Sequence, residues 1–75
     1  MIEKIKELIA KQLYLDAASI SDDSGFVDDL GADSLDIVQM LISMEKEFGV
    51  NFADEEIATI KTVRDAAALI EKKKQ

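Results

Sequence analysis

Residues 35 to 48 carry apolar side chains on two separate stripes of one helix, and a helix of that kind has few ways to fold. At about 100° per residue, with Asp36 at zero, Ile37, Leu41, Met44 and Phe48 fall between about 80° and 140°, and Met40 sits at their margin. Leu35, Val38 and Ile42 fall between about 200° and 260°. Glu45 divides the stripes, and Asp36, Gln39, Ser43 and Glu47 form the polar remainder. One stripe is enough to bury a helix in a small bundle. A second means either that the helix is covered on two sides or that it offers a surface to a partner, with Asp36 and Glu45 as the polar rim.

The limits of this helix are written in its flanks. Asp33 is a good N-cap, Asp36 stands three residues on, and Gly49 is a natural stop. Before it, residues 2 to 14 read as a helix with Ile2, Ile5, Ile9 and Leu13 on one face, Leu8 at its edge, and Glu7 and Lys11 spaced as an ion pair. Residues 16 to 33 lack a helical period. Ile20, Phe26, Val27 and Leu30 recur through them, which predicts a packed loop, and Gly25 and Gly31 can supply backbone conformations that other residues avoid. A short turn near Asp54 to Ile57 opens on three acids. A last helix begins near Thr62, faces Val63, Ala66, Ala67 and Ile70 inward, and frays into Lys72, Lys73, Lys74 and Gln75. With no repeat or linker, residues 1–75 form one domain. The expected fold is all-α, a four-helix bundle of three longer helices and one short, with a long first loop.

Composition limits the chemistry. The 75 residues include no cysteine and no histidine, so thiol nucleophiles, imidazole bases, disulfides and thiolate or imidazole metal sites are excluded. A thiol, if the function needs one, has to be imported. The net charge of −7 is unevenly spread: from Gln12 to Glu45 there is no Lys or Arg, only Asp16, Asp22, Asp23, Asp28, Asp29, Asp33, Asp36 and Glu45 among the charged residues. Such a field repels nucleic acid and favours basic proteins, although it also serves as a plain solubilising surface. No apolar run approaches the roughly 20 residues of a membrane span. The opening Met1-Ile2-Glu3-Lys4-Ile5-Lys6 lacks a signal-peptide core, which predicts a cytoplasmic location; a monomer is expected as a separate matter. The acidic loop is not an EF-hand, because counting back from Gly25 or Gly31 puts Ile20 or Phe26 at the position that needs Asp. It contains no phosphate-binding glycine motif and no specified metal site.

The segment Phe26-Val27-Asp28-Asp29-Leu30-Gly31-Ala32-Asp33-Ser34-Leu35-Asp36 resembles the attachment motif of the acyl carrier protein family, and the resemblance extends over essentially the whole chain. The resemblance implies that Ser34 carries 4′-phosphopantetheine, derived from coenzyme A, as a phosphodiester near the helix N-terminus, where an anion is favoured. The arm then supplies the missing thiol, and the chain carries acyl groups as thioesters without catalysing a reaction. Asp33, Leu35, Asp36, Val38, Ile42 and Glu45 match the family's enzyme-facing surface. The implied partners are a phosphopantetheinyl transferase and the enzymes of dissociated fatty-acid synthesis, with basic docking patches. An acyl pocket is expected among Ile37, Met40, Met44, Ile60, Ala66 and Ala67, because small alanines leave space and methionines repack. Gln39 and Lys46 stand where the family usually has acids, and Ala53 where proline is common. These departures keep open a carrier dedicated to a specialised pathway, such as polyketide or other acyl transfer. From another class, an unmodified acidic helical adaptor would use the same face purely for binding.

Overall fold

A computed structural model describes residues 2–74. Four helices are present among them and no strand: α1 (Ile2–Leu13), α2 (Ser34–Phe48), α3 (Asp54–Ile57) and α4 (Val63–Lys73). The capping chemistry sets these limits. At α2 the Asp36 N–H donates to the Asp33 carboxylate (2.9 Å) and the Asp33 N–H donates back to Asp36 (3.3 Å). Thr62 and Asp65 make the same reciprocal pair at α4. Gly49 ends α2 in the left-handed region, at φ 68°. At α3, Ala53 has no side chain to cap with, and Glu56 reaches back to its N–H instead (2.8 Å).

α1 is the helix that packs on both other long helices. Its Ile5 and Ile9 are fully buried, and they meet a core that includes Met40, Leu41 and Met44 of α2 and Val63, Ala66, Ala67 and Ile70 of α4. Each large aliphatic buried this way contributes about 1.5–3 kcal/mol of transfer free energy. The doubly covered helix is thus α1, and the second stripe of α2 is left facing solvent. Within the first stripe, Met40 is buried rather than marginal, while Ile37 and Phe48 are only half-buried. The core tilts toward Met40 because that is the side on which α1 lies.

The connection from 14 to 33 is ordered by backbone hydrogen bonds. Tyr14 ends α1 with φ 58°, and the Leu15 N–H donates back to the Ala10 carbonyl (2.9 Å), so the expected helix to residue 14 stops at Leu13. A short 3₁₀ turn covers Ala17–Ser19, capped by Asp16. Ile20, Phe26 and Ala32 are buried. Val27 is 60% exposed, against the expectation that it packs inward. The turn that carries it is closed on Gly25, whose carbonyl accepts from the Asp29 and Leu30 N–H groups (3.0 Å each) and whose N–H donates to the Asp29 carboxylate (2.6 Å). Gly31 adopts φ 69° as expected, but Gly25 does not have a positive φ. A Cβ at position 25 would lie 3.3 Å from the Asp29 carboxylate, which would have to move by a few tenths of an ångström to admit it.

Glu7 and Lys11 form no ion pair; Lys4 instead reaches Glu47 on α2 (3.5 Å). α4 remains helical to Lys73, with the Lys74 N–H bonded to the Ile70 carbonyl (3.0 Å), so the lysines at 72 and 73 do not fray; Gln75 and Met1 lie outside the described residues.

Candidate functional site

Ser34 is the first residue of α2 and is exposed. The chain reaches it by a fixed route. The Ala32 N–H donates to the Phe26 carbonyl (2.8 Å), Ala32 is buried, and Asp33 is extended at φ −92°, ψ −179°. A buried residue two positions before an exposed serine holds that serine outward. In the first turn of α2, the Asp36 and Ile37 N–H groups are satisfied by the side chain and carbonyl of Asp33 (2.9 and 3.0 Å). The N–H groups of Ser34 and Leu35 have no acceptor among the described residues, and neither does the Ser34 hydroxyl. Two free donors beside an exposed hydroxyl, at the positive end of a 15-residue helix, suit an esterified phosphate on Ser34 Oγ. The residues present therefore fit a phosphopantetheine group at this position.

The acidic stretch separates into two groups. Asp22 and Asp23 are neutralised from neighbouring helices: Lys6 of α1 reaches Asp22 (2.6 Å), and Arg64 of α4 binds Asp23 (2.8 Å). The Arg64 guanidinium, hydrogen-bonded to Asp23, holds that carboxyl below its ordinary range. Asp28, Asp29, Asp33 and Asp36 have no cation within ion-pair distance among the described residues. Asp16, also without a cation, caps the 3₁₀ turn, and the rest of the uncompensated aspartates lie in the 28–36 segment around the start of α2. Glu45 has a different role: half-buried, it accepts a hydrogen bond from the Phe52 N–H (2.8 Å) and ties the α2–α3 connection to the helix.

The second stripe of α2 is open. Leu35 is 64% exposed, Val38 46% and Ile42 44%, and they run from Ser34 along the helix beside Asp36 and Glu45. Of the residues predicted to line an acyl pocket, Ile37 and Ile60 border a cavity of about 220 Å³, together with Phe26, Val27, Asp28 and Lys61. Met40, Met44, Ala66 and Ala67 are buried in the main core and do not line that cavity. Sequence reasoning missed Val27, Asp28 and Lys61 as cavity residues. Val27 directly follows Phe26 in a loop without a period, so the sequence holds no signal that separates its outward side chain from the inward one of Phe26.

Residues 3–70 match the family model described as the phosphopantetheine attachment site. An acyl carrier protein from Solidesulfovibrio magneticus is 54% identical over 72 residues, 96% of this chain and 92% of the relative. One from Bdellovibrio bacteriovorus is 46% identical over 70 residues, covering 93% and 90% of the two chains. Among solved structures, a chain from Mycobacterium tuberculosis put forward as an acyl carrier protein superposes with a TM-score of 0.88 at 32% identity, covering 96% of this chain and 97% of its own.

Proposed function

Because the chain belongs to the acyl carrier protein family, we propose that Ser34 is the residue that bears the 4′-phosphopantetheine arm. The chain is a carrier of acyl groups, and phosphopantetheine is its prosthetic group. When bound, that group supplies the thiol on which an acyl chain is held as a thioester. The observation that carries the assignment is the exposed Ser34 hydroxyl beside two N–H groups without acceptors. In this reading Ala32 and Asp33 hold Ser34 outward, and the first turn of α2 balances the charge of the phosphodiester. Tethering lets an acyl group be presented to successive enzymes at high local concentration; in this reading the chain delivers its cargo without catalysing a step, and works as a monomer.

Leu35, Val38 and Ile42 with Asp33 and Asp36 form the face offered to partners, with Glu45 at its far end shared between that face and the Phe52 N–H. The partners are the transferase and cytoplasmic fatty-acid synthesis enzymes, which would meet it with basic patches. The cavity bordered by Ile37 and Ile60 is the place for the near end of an acyl chain, one helical turn from Ser34. Each methylene sheltered there is worth about 0.8 kcal/mol. Lys46 supports a second reading, a carrier dedicated to a specialised pathway: it is exposed on α2 and is the one cation between Lys11 and Lys61.

Incubation with coenzyme A and a phosphopantetheinyl transferase, followed by mass spectrometry, tests the assignment. The intact chain should gain one phosphopantetheine, fragmentation should place it on Ser34, and Ser34→Ala should stay folded and unmodified. Loading of the alanine variant would overturn it.

A further inference from the structure

The cavity near Ser34 and the main core share a wall of three side chains. Phe26, Ile37 and Ile60 line the cavity and also pack in the hydrophobic cluster that contains Met40, Met44, Ala66 and Ala67. Two of the three are tied down. The Phe26 N–H donates to the Lys61 carbonyl (3.0 Å), the Phe26 carbonyl accepts from the Ala32 N–H (2.8 Å), and Gly25 pairs with Thr62 as an antiparallel bridge. The same two segments are joined again by the Val63 N–H on the Ser24 carbonyl (3.1 Å) and by the Arg64 side chain on Asp23 (2.8 Å). The walls that carry Phe26 and Ile60 therefore cannot part without breaking several bonds at once. Ile37 is held differently. It is half-buried in the first turn of α2, and no hydrogen bond or ion pair among the described residues ties α2 to residues 22–28 or 60–64. Of the three shared side chains, Ile37 is the one free to yield.

An apolar protein cavity of about 150 Å³ holds a six-carbon ring. At about 220 Å³, this cavity has room for roughly eight carbons by the same measure. A longer chain has to find space elsewhere. Met40 and Met44 follow Ile37 on the same face of α2, three and seven residues on, and Ala66 and Ala67 of α4 belong to the same cluster. Methionines are unbranched and repack readily, so this part of the core can admit a guest that leaves its aliphatic neighbours in place. We propose that Ile37 is the gate that sets acyl-chain length. Chains up to roughly eight carbons rest in the cavity against a closed Ile37. Longer chains enter among Met40, Met44 and the α4 alanines only by turning Ile37 aside, while the wall made by the loop and the start of α4 stays shut. This rests on the reading that Ser34 bears the arm and that the cavity takes the chain. It makes Ile37 a specificity-determining residue, and it makes short and medium acyl chains the class sheltered without disturbing the core.

The test uses the full chain, loaded by a phosphopantetheinyl transferase from acyl-coenzyme A thioesters of about four to fourteen carbons. Each transfer joins Ser34 Oγ to the phosphopantetheine phosphorus and releases adenosine 3′,5′-bisphosphate, with the hydroxyl proton passing to the transferase and the thioester left intact. The melting temperature should climb by up to about 3 °C per methylene to roughly eight carbons and then level off. Ile37→Ala should carry the climb on to about twelve carbons, and Ile37→Phe should end it near about six, because the ring overfills the wall. Opposite shifts from one position separate a gate from a general loosening of the fold. Glu71→Gln, exposed on α4, should keep the same levelling point. In hydrogen exchange, the Phe26 and Val63 amides should stay as protected in the chain loaded with about twelve carbons as in the unacylated one. A levelling point that ignores both Ile37 variants overturns the gate. So does lost protection at Phe26 and Val63, which would make the loop the wall that yields. Stability that is flat across chain lengths in the loaded protein overturns the cavity and its gate while leaving Ser34 in place. Failure of the unsubstituted chain to load overturns the reading of Ser34 and the gate with it.

Discussion

α2 and α4 begin with the same local device and end up in opposite situations. Each has an N-cap side chain and an acid three residues later, bonded reciprocally, and each N-cap residue is extended. At α4 the loop has come to the helix end: the Val63 N–H donates to the Ser24 carbonyl (3.1 Å) and the Arg64 N–H to the Asp22 carbonyl (2.8 Å). At α2 nothing arrives, and the corresponding donors, on Ser34 and Leu35, are left without acceptors among the described residues. A cap signature therefore fixes where a helix starts but not whether that start is closed. Closure depends on a distant segment, and the end left open is the one beside the reactive hydroxyl.

The largest expected difference between the two ends comes from proline at the first helical position, which removes the N–H and keeps the helix. Both preceding residues are already extended, as proline requires. Ser34→Pro should match Ser34→Ala in urea unfolding within about 0.5 kcal/mol, because the lost N–H had no partner. Val63→Pro should cost about 1–3 kcal/mol more than Val63→Ala, because the largely buried Ser24 carbonyl loses its donor. Equal penalties at the two sites would break the comparison.

Removing the caps should give a smaller effect, about 1 kcal/mol for either Asp33→Ala or Thr62→Ala. The two should diverge on loading. A phosphodiester on Ser34 offers oxygens to the same first-turn donors, so the cost of Asp33→Ala should fall in the loaded chain while that of Thr62→Ala stays fixed. Melting of the unsubstituted chain and the two variants, each loaded and unloaded, measures this; parallel shifts would mean that the phosphate does not lie over the end of α2.

The smallest effect is electrostatic. The Asp23 carboxyl is held low by the Arg64 hydrogen bond and charge. A group with a depressed folded pKa contributes stability that is complete above its unfolded value, about 4, and that is lost as the pH falls through the folded value. Arg64→Met should therefore be less stable than the unsubstituted chain near neutrality, and the gap should narrow as the pH drops from about 6 to 3. A gap independent of pH would assign Arg64 a role in packing alone.

Much of this was legible in the sequence, for identifiable reasons. The limits of α2 followed from Asp33, Asp36 and Gly49, since caps act within one turn. Helical period marked Leu35, Val38 and Ile42 as a stripe of their own and gave the inward face of α4, but left open whether that second stripe was covered, which the packing of α1 decides. The features that escaped depend on contacts that leave no local trace. Val27 faces out because Phe26 and the bonds to Gly25 fix the turn, and a Phe-Val pair in a loop has no period that says which of the two turns inward. Ala10 and Ala32 are buried by neighbours too distant in sequence to be inferred. Glu45 bonds to a backbone N–H seven residues away, which a helical wheel represents only as a rim charge. Tyr14 takes a left-handed conformation usually left to glycine, a choice its side chain gives no sign of, and is 95% exposed there.

The hydrogen bonds from Val63 and Arg64 to the loop also bear on how the chain folds. Asp22 and Arg64 are separated by about forty residues, and closing a loop of that length costs about 3 kcal/mol of chain entropy before any contact repays it. The α4 end and the loop cannot be completed one after the other, because each supplies the other's hydrogen bonds. They should form late and together, in a single cooperative step that draws the two halves of the sequence into register. The Phe26 N–H belongs to the same set, donating to the Lys61 carbonyl (3.0 Å), and in hydrogen exchange the amides of Phe26, Val63 and Arg64 should open with one common free energy.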